Sequence, residues 1–184
     1  ALTFTNRAAG EMKTRLRQLN VGNVASTTFH AAALRQLRHF WPQVVGGEPP
    51  SLMKGKSQLL SEVSRKVGLR ADKGVLRDIA SDIEWRKVSN LTIEKYADVV
   101  ASRPRIGGVS IEQLLAVHEE FERVKDERQQ IDFEDVLLLT AGLLATEDSA
   151  LMEVRERYRF FVVDEYQDVS PLQHDLLSLW LGER

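Results

Sequence analysis

The stretch that most constrains this chain is Phe160-Phe161-Val162-Val163, four apolar residues in a row, preceded by Arg159 and ended by Asp164-Glu165. A strand with one solvated face alternates apolar and polar residues. An unbroken run instead predicts a strand buried on both faces, as in a parallel sheet covered by helices on either side. Parallel neighbours must be joined by crossovers long enough to hold a helix, and the amino-terminal residues supply that pattern. Leu2-Thr3-Phe4-Thr5 is a short β-rich run. From Arg7 to Asn20 the apolar residues Ala8, Ala9, Met12, Leu16 and Leu19 recur at helical spacing, with Asn6 as the expected N-cap and Gly22 beyond the end. Val24 to Thr28 predicts a second strand and Phe29 to Phe40 a second helix. The order β-α-β-α opens an α/β domain.

The middle of the chain breaks that order. A Pro- and Gly-rich connection runs from Trp41-Pro42 to Pro49-Pro50, and no strand is predicted for over a hundred residues after it. Leu52 to Val67, Lys73 to Lys87 and Thr92 to Ala101 each predict a helix. A longer helix follows, with Ser110 and Gln113 spaced as a capping box. Asp132 is the expected cap of the next, which carries Val136, Leu137, Leu139, Leu143 and Leu144. Pro171 suits the first turn of a last helix. The whole predicts an α/β fold, helix-rich overall, in which a parallel sheet carries a large all-α insertion. Its parts are residues 1–41, 42–126 and 127–184.

Composition excludes several classes. Without cysteine there is no disulfide framework, thiol nucleophile or thiolate zinc site. No apolar run reaches the roughly 20 residues of a membrane span, and the first residues read as a strand instead of a secretory leader. A cytoplasmic protein with no membrane partner is the expectation. The net charge of −2 hides an asymmetry. Residues 1–40 carry six basic side chains against one acidic, residues 41–110 twelve against eight, and residues 111–184 seven against eighteen. A basic beginning suits a polyanion and an acidic end suits a metal, although solvated helix faces give the same counts.

The acidic pair has a direct chemical reading. Ligands of open α/β sheets collect at the carboxyl ends of the strands, and Asp164-Glu165 sits at such an end. Magnesium takes carboxylate or water oxygens and keeps several waters. Asp164 can hold a metal-bound water, while Glu165 can orient and deprotonate an attacking water. A strand end that merely caps the following turn accounts for a bare Asp-Glu equally well.

The longer string Asp164-Glu165-Tyr166-Gln167-Asp168-Val169-Ser170-Pro171-Leu172-Gln173 resembles motif II, the Walker B motif, of the UvrD/Rep/PcrA family of superfamily 1A DNA helicases. Thr3 to Met12 resembles motif Ia, with Arg7 where the family usually has Lys. Thr27-Thr28-Phe29-His30-Ala31 resembles motif Ib, with Ala31 in place of a usual Ser. Leu91 to Tyr96 is similar to part of the family's helical insertion, and Ile131 to Leu137 to the segment that re-enters the ATPase core. The resemblance implies part of a RecA-like P-loop NTPase domain (1A) and a helical domain 1B. It implies ATP and Mg2+ as cofactors, with Asp164 on the metal through water and Glu165 and Gln167 catalytic. It implies single-stranded DNA contacts by Phe4, Thr5, Asn6, Thr28, Phe29 and His30. The residues alone leave Phe4 as a core strand residue and His30 as a packed or capping histidine.

No Gly-x-x-x-x-Gly-Lys-Ser/Thr phosphate loop is present. Gly55-Lys56-Ser57 ends like one, but Pro50 stands where its first glycine belongs. The expectation is therefore a piece of a 3′→5′ DNA helicase that serves repair or recombination. Its partners would be single-stranded DNA, single-strand/duplex junctions and other repair proteins. On its own the piece is expected to be inactive and to hold no nucleotide stably. Two alternatives are the helicase part of a RecB- or AddA-like helicase–nuclease, and a non-catalytic helical interaction module.

Overall fold

The computed structural model describes residues 1–22 and 24–182. In chain order its elements are β1 (Leu2–Thr3), α1 (Asn6–Gln18), β2 (Thr27–Thr28), α2 (Phe29–Val44), β3 (Ser51–Leu52), α3 (Ser57–Lys66), α4 (Lys73–Val88), α5 (Ile93–Val99), α6 (Ile111–Glu127), β4 (Gln130–Ile131), α7 (Phe133–Thr146), α8 (Asp148–Arg157) and α9 (Pro171–Leu181). Among the described residues no helix is long and apolar enough to cross a membrane. The chain divides into two compact units, the first made of Ala1–Pro49 with Val136–Arg184 and the second of Pro50–Asp135.

In the first unit β1 pairs in parallel with β2, Leu2 opposite Thr27 and Thr3 opposite Thr28. Residues 160–163 run along the other side of β1. Leu2 forms a parallel bridge with Val163, the Leu2 N–H donates to the Val162 carbonyl at 2.8 Å, and the Asp164 N–H donates to the Leu2 carbonyl at 3.0 Å. Helices supply the core below, with Phe29, Ala33, Leu37, Leu144, Leu176 and Trp180 essentially buried. The Trp180 ring stacks on Phe29 (6.1 Å between centroids) and on Phe161 (5.7 Å), and its Nε1 donates to Gln36 Oε1 at 2.9 Å. The buried indole thus keeps a polar partner while its faces pack.

The apolar run differs from its expectation. Phe160 is 91% exposed and Val162 65% exposed, while Phe161 and Val163 are partly covered. The run is a one-residue bridge to β1, not a strand buried on both faces. The physical reason is coverage. Trp180 of α9 packs on Phe161, and no described element covers the alternate side chains. Smaller departures follow local rules. Thr5, not Asn6, caps α1, its hydroxyl accepting from the Ala8 N–H at 3.1 Å. Helix α2 continues through Pro42 to Val44, because a proline in the last turn removes only one helical hydrogen bond. Helix α8, for which the sequence pattern had no separate prediction, follows α7.

The second unit is helical around one cluster that includes Leu60, Val63, Ile79, Ile83, Val117 and Phe121, none more than marginally exposed. Its capping box is present as expected, with Ser110 and Gln113 exchanging side-chain and backbone bonds at 3.2 Å. Contrary to the expectation of no strand in this region, β3 pairs in parallel with β4, fastened by Ser51 N–H to Gln129 O and Met53 N–H to Ile131 O, both 2.9 Å. Leu52 belongs to that strand, and α3 starts only at Ser57.

This unit also buries charge. Lys87 and Lys125, 1% and 2% exposed, converge on Asp132 and Asp135. Lys87 Nζ lies 2.7 Å from Asp132 Oδ2 and 2.6 Å from Asp135 Oδ1. Lys125 Nζ lies 3.2 Å from Asp132 Oδ2, with a shorter bond to Asp135. Glu122 meets both lysines and also Arg86. Burial works to raise the Asp132 carboxyl, but the two ammonium groups outweigh it and hold the group well below the usual carboxylate range.

Candidate functional site

The parallel register brings three separated stretches to one edge. β1, β2 and the Val163 bridge all run the same way, so their carboxyl ends lie side by side. Residues 4–6 leave β1 there, residues 28–30 leave β2, and residues 164–168 leave the bridge. This is the edge at which open α/β sheets bind ligands.

The motif Ia and Ib stretches use one device twice. A threonine at the strand end (Thr28) or two residues past it (Thr5) caps the helix that follows. The Thr5 hydroxyl accepts from Ala8, and the Thr28 hydroxyl accepts from the Ala31 N–H at 3.2 Å. Both hydroxyls are therefore engaged within the chain, and Thr28 is buried while Thr5 and Asn6 are exposed. Each helix start presents backbone N–H groups with partial positive charge, a ready place for a phosphate. Phe4 is partly buried, its ring 6.1 Å from Phe29 and tilted by 43°. Phe29 is 1% exposed and wedged between Phe4 and Trp180, so it supports the Phe4 ring from inside the core. His30 is half-buried, and burial pushes its pKa down to about 4. At neutral pH it is an uncharged ring that hydrogen-bonds or stacks, not a cation.

Asp164, Glu165, Gln167 and Asp168 are all exposed at the same edge. Glu165 adopts the left-handed conformation, φ 49° and ψ 47°, which a non-glycine residue reaches only at a cost. The turn is closed by the Asp168 N–H donating to the Glu165 carbonyl at 2.9 Å. Gln167 Nε2 donates to Glu165 Oε2 at 2.5 Å. Among the described residues no group of three or more His, Asp or Glu side chains is placed to hold a metal ion. A lone exposed Asp164 fits magnesium all the same, which usually takes one or two carboxylates and completes its shell with water and substrate phosphates.

Lys56 of the Gly55-Lys56-Ser57 sequence is committed elsewhere. Its Nζ bonds Glu134 at 2.5 Å and Glu84 at 3.0 Å, with only 10% of the side chain exposed. Asp132, Glu134 and Asp135, the other conceivable metal group, are saturated by Lys56, Lys87 and Lys125. Asp132 also caps its helix as expected, its Oδ1 accepting from the Asp135 N–H at 3.0 Å. The sequence pattern missed the network, since Arg86, Lys87, Glu122 and Lys125 read like any solvated helix face. The available signal was the cluster of acids at 132–135 beside an apolar run.

Comparison with known proteins defines the class. The family model described as the UvrD/REP helicase N-terminal domain matches residues 1–184, and the chain belongs to that family. It is 43% identical to the ATP-dependent DNA helicase UvrD2 of Mycobacterium tuberculosis over all of this chain and 28% of the relative. It is 31% identical to the ATP-dependent DNA helicase Rep of Salmonella typhimurium over all of this chain and 27% of the relative. With the ATP-dependent DNA helicase PcrA of Leuconostoc citreum the identity is 27%, over 97% of this chain and 24% of the relative. The chain thus spans 24–28% of the length of these relatives.

Proposed function

We propose that the chain is part of an ATP-dependent DNA helicase, its first unit contributing to a RecA-like nucleotide-binding domain and its second unit forming the helical insertion. The observation that carries this reading is the gathering of the motif Ia, Ib and II residues at one carboxyl edge of parallel strands, within a chain of the UvrD/REP family. Asp164 would hold magnesium through a bound water, the ion's usual preference. Glu165, restrained by Gln167, orients the attacking water and takes its proton. Magnesium bound with ATP supplies charge stabilisation on the phosphates. Gln167, hydrogen-bonded to Glu165, is the residue that couples nucleotide state to the DNA grip in this reading. Phe4 stacks on a base, which is independent of sequence because every base has a π-face. The N–H groups that open α1 and α2 face backbone phosphates, with Thr5, Asn6, Thr28 and His30 around them. Alternating grips on single-stranded DNA through the hydrolytic cycle give movement, with 3′→5′ polarity and a role at repair or recombination junctions following from the resemblance.

The test uses the full-length protein. Glu165→Gln is expected to lower DNA-stimulated ATPase by about 100-fold or more, the scale of a lost general base. Phe4→Ala is expected to weaken single-stranded DNA binding about 5- to 100-fold, the equivalent of one stacked base. Unchanged ATPase in the first variant, or unchanged affinity in the second, sinks the corresponding role. The isolated 184-residue chain, with no phosphate loop, should show no Mg-dependent ATPase. Appreciable turnover that Glu165→Gln abolishes would overturn that statement.

A further inference from the structure

Four aromatic rings run in series through the first unit, each from a different segment that leads to or from the carboxyl edge. Phe4 follows β1, Phe29 opens α2, Phe161 lies in the stretch before Asp164, and Trp180 belongs to the last turn of α9. Phe4 meets Phe29 at 6.1 Å. Phe29 stacks on Trp180 at 6.1 Å with 15° between the planes, and Trp180 stacks on Phe161 at 5.7 Å with 4° between the planes. Tyr158, just past α8, backs Phe161 at 6.4 Å.

Trp180 is held on three sides. It is 1% exposed, a ring lies on each of its faces, and its Nε1 donates to Gln36 Oε1 at 2.9 Å. Gln36 stands about two turns beyond Phe29 on α2. One helix therefore supplies both a ring against the indole and the acceptor that sets its rotation. An aliphatic residue at 180 would bury apolar surface too, but it has no flat faces for two rings and no N–H for Gln36. Phe4, by contrast, is only partly buried, and Phe29 packs against it from the core side. Aromatic pairs favour defined offset or tilted geometries, so the plane of the Phe4 ring depends on where Phe29 sits. Phe29 is 1% exposed in a close-packed core, and it shifts only if Trp180 shifts.

We infer that Trp180 is a positioning residue for the grip on single-stranded DNA. Seated on Phe161 and locked by Gln36, it holds Phe29, and Phe29 sets the plane of the Phe4 ring on which a base stacks. The inference rests on the helicase reading, with Phe4 as the stacking residue, and adds to it a buried side chain that touches no DNA. A Phe4 ring free to tilt loses overlap with the base, and it must also give up that freedom on binding.

The experiment measures binding of labelled single-stranded oligonucleotides and DNA-stimulated ATPase in the full-length protein, with folding checked by melting temperature. Trp180→Leu is expected to weaken binding about 3- to 10-fold, part of the loss expected of Phe4→Ala. Trp180→Phe, which keeps a flat ring between its neighbours, should bind within about 2-fold of the parent. No phosphate contact is lost, so the slope of log affinity against log salt should stay parental. The DNA concentration that half-saturates ATPase should rise by the same factor as the affinity falls, while turnover at saturating DNA stays parental. A merely structural tryptophan would lower the melting temperature, and the active fraction with it, without moving half-saturation. Adding Trp180→Leu to Phe4→Ala should weaken binding no further, since the ring it positions is gone. Gln36→Leu keeps all four rings and frees the indole edge, and it should weaken binding by a smaller factor of about 2 to 4. Parental affinity in Trp180→Leu, or in Gln36→Leu where the former does not fold, overturns the inference and leaves the helicase reading intact. So does a Trp180→Leu loss that adds fully to that of Phe4→Ala. Unchanged affinity in Phe4→Ala removes the stacking role itself, and a parent protein that binds no single-stranded DNA overturns both readings.

Discussion

The two units manage exposed and buried groups in opposite ways. The second surrounds an apolar cluster with ion pairs and even sinks two lysines into its interior against three carboxylates. The first leaves Phe160 91% exposed, Val162 65% exposed and Asp164 and Glu165 open to solvent at a strand end. A buried charge is tolerated only when fully paired, and an exposed acid beside an apolar edge adds little to stability by itself. The contrast separates a unit that pairs the charges it buries from one that leaves acidic side chains open to solvent at the strand edge where chemistry is proposed.

The largest test of that contrast is Lys87→Met. It leaves Asp132 and Asp135 buried with half their compensation and is expected to destabilise the second unit by about 3–5 kcal/mol, read from hydrogen exchange of its core amides. The pH dependence has a definite sign. The Asp132 carboxyl is held below its unfolded value, so its contribution is present above the unfolded pKa and is lost as the pH falls toward the folded one. A Lys87→Met protein as protected as the parent would show that the network is ornamental. In the first unit Asp164→Asn, which alters an exposed acid, should stay within about 0.5 kcal/mol of the parent.

Next in size is His30. Its folded pKa of about 4 lies below the ordinary 6.5, so the native state resists protonation. Stability of the first unit is complete above pH 6.5 and declines as the pH falls toward 4, by about 2–3 kcal/mol in total. A His30→Gln protein should lose that slope, and the His30 ring signal should titrate near pH 4 by NMR. A midpoint at 6.5 or above would place the ring in solvent.

About 1 kcal/mol is expected from each capping threonine, the usual worth of a cap. Thr28→Ala and Thr5→Ala should lower the melting temperature by similar amounts, whereas Thr28→Ser should restore most of it. A change in DNA affinity without any change in stability would mean that the hydroxyls serve the ligand and not the helices.

What could be read from the sequence depended on whether the cause was local. Ser110 with Gln113, Asp132 and Pro171 act on neighbours a few residues away, and each sits where its pattern put it. The parallel pairing of the residues around Leu2, Thr27 and Val163 was legible from β-α-β spacing, and with it the edge that gathers the candidate site. The exposure of Phe160 was not, because an apolar run reports what a strand can be buried in, not what covers it. The β3–β4 pair escaped for a related reason. Ser51-Leu52 and Gln130-Ile131 are two residues each, too short to show a period, and only tertiary contact brings them together. Phe29 was read with its motif as a DNA contact, yet its ring is in the core, since a motif marks positions and not the direction of a side chain.

The smallest expected effect gives the sharpest comparison, because it lies within a single tetrapeptide. Phe161 and Phe160 are chemically identical neighbours. One stacks on Trp180 at 5.7 Å, and the other is almost wholly in solvent. Phe161→Ala removes packing from a partly buried aromatic and should cost about 2–3 kcal/mol, below the range for a fully buried ring. Phe160→Ser should change stability by no more than about 0.5 kcal/mol and should increase solubility, since it removes apolar surface that invites association. The pair is to be measured by chemical denaturation of the 184-residue chain. If Phe160→Ser costs as much as Phe161→Ala, the alternate face of the run is covered in solution, and the difference drawn between the two units fails at its most exposed residue. If the two separate as expected in this chain, repeating Phe160→Ser in the full-length protein is informative. A large cost there and not here would mean that residues outside these 184 complete the sheet.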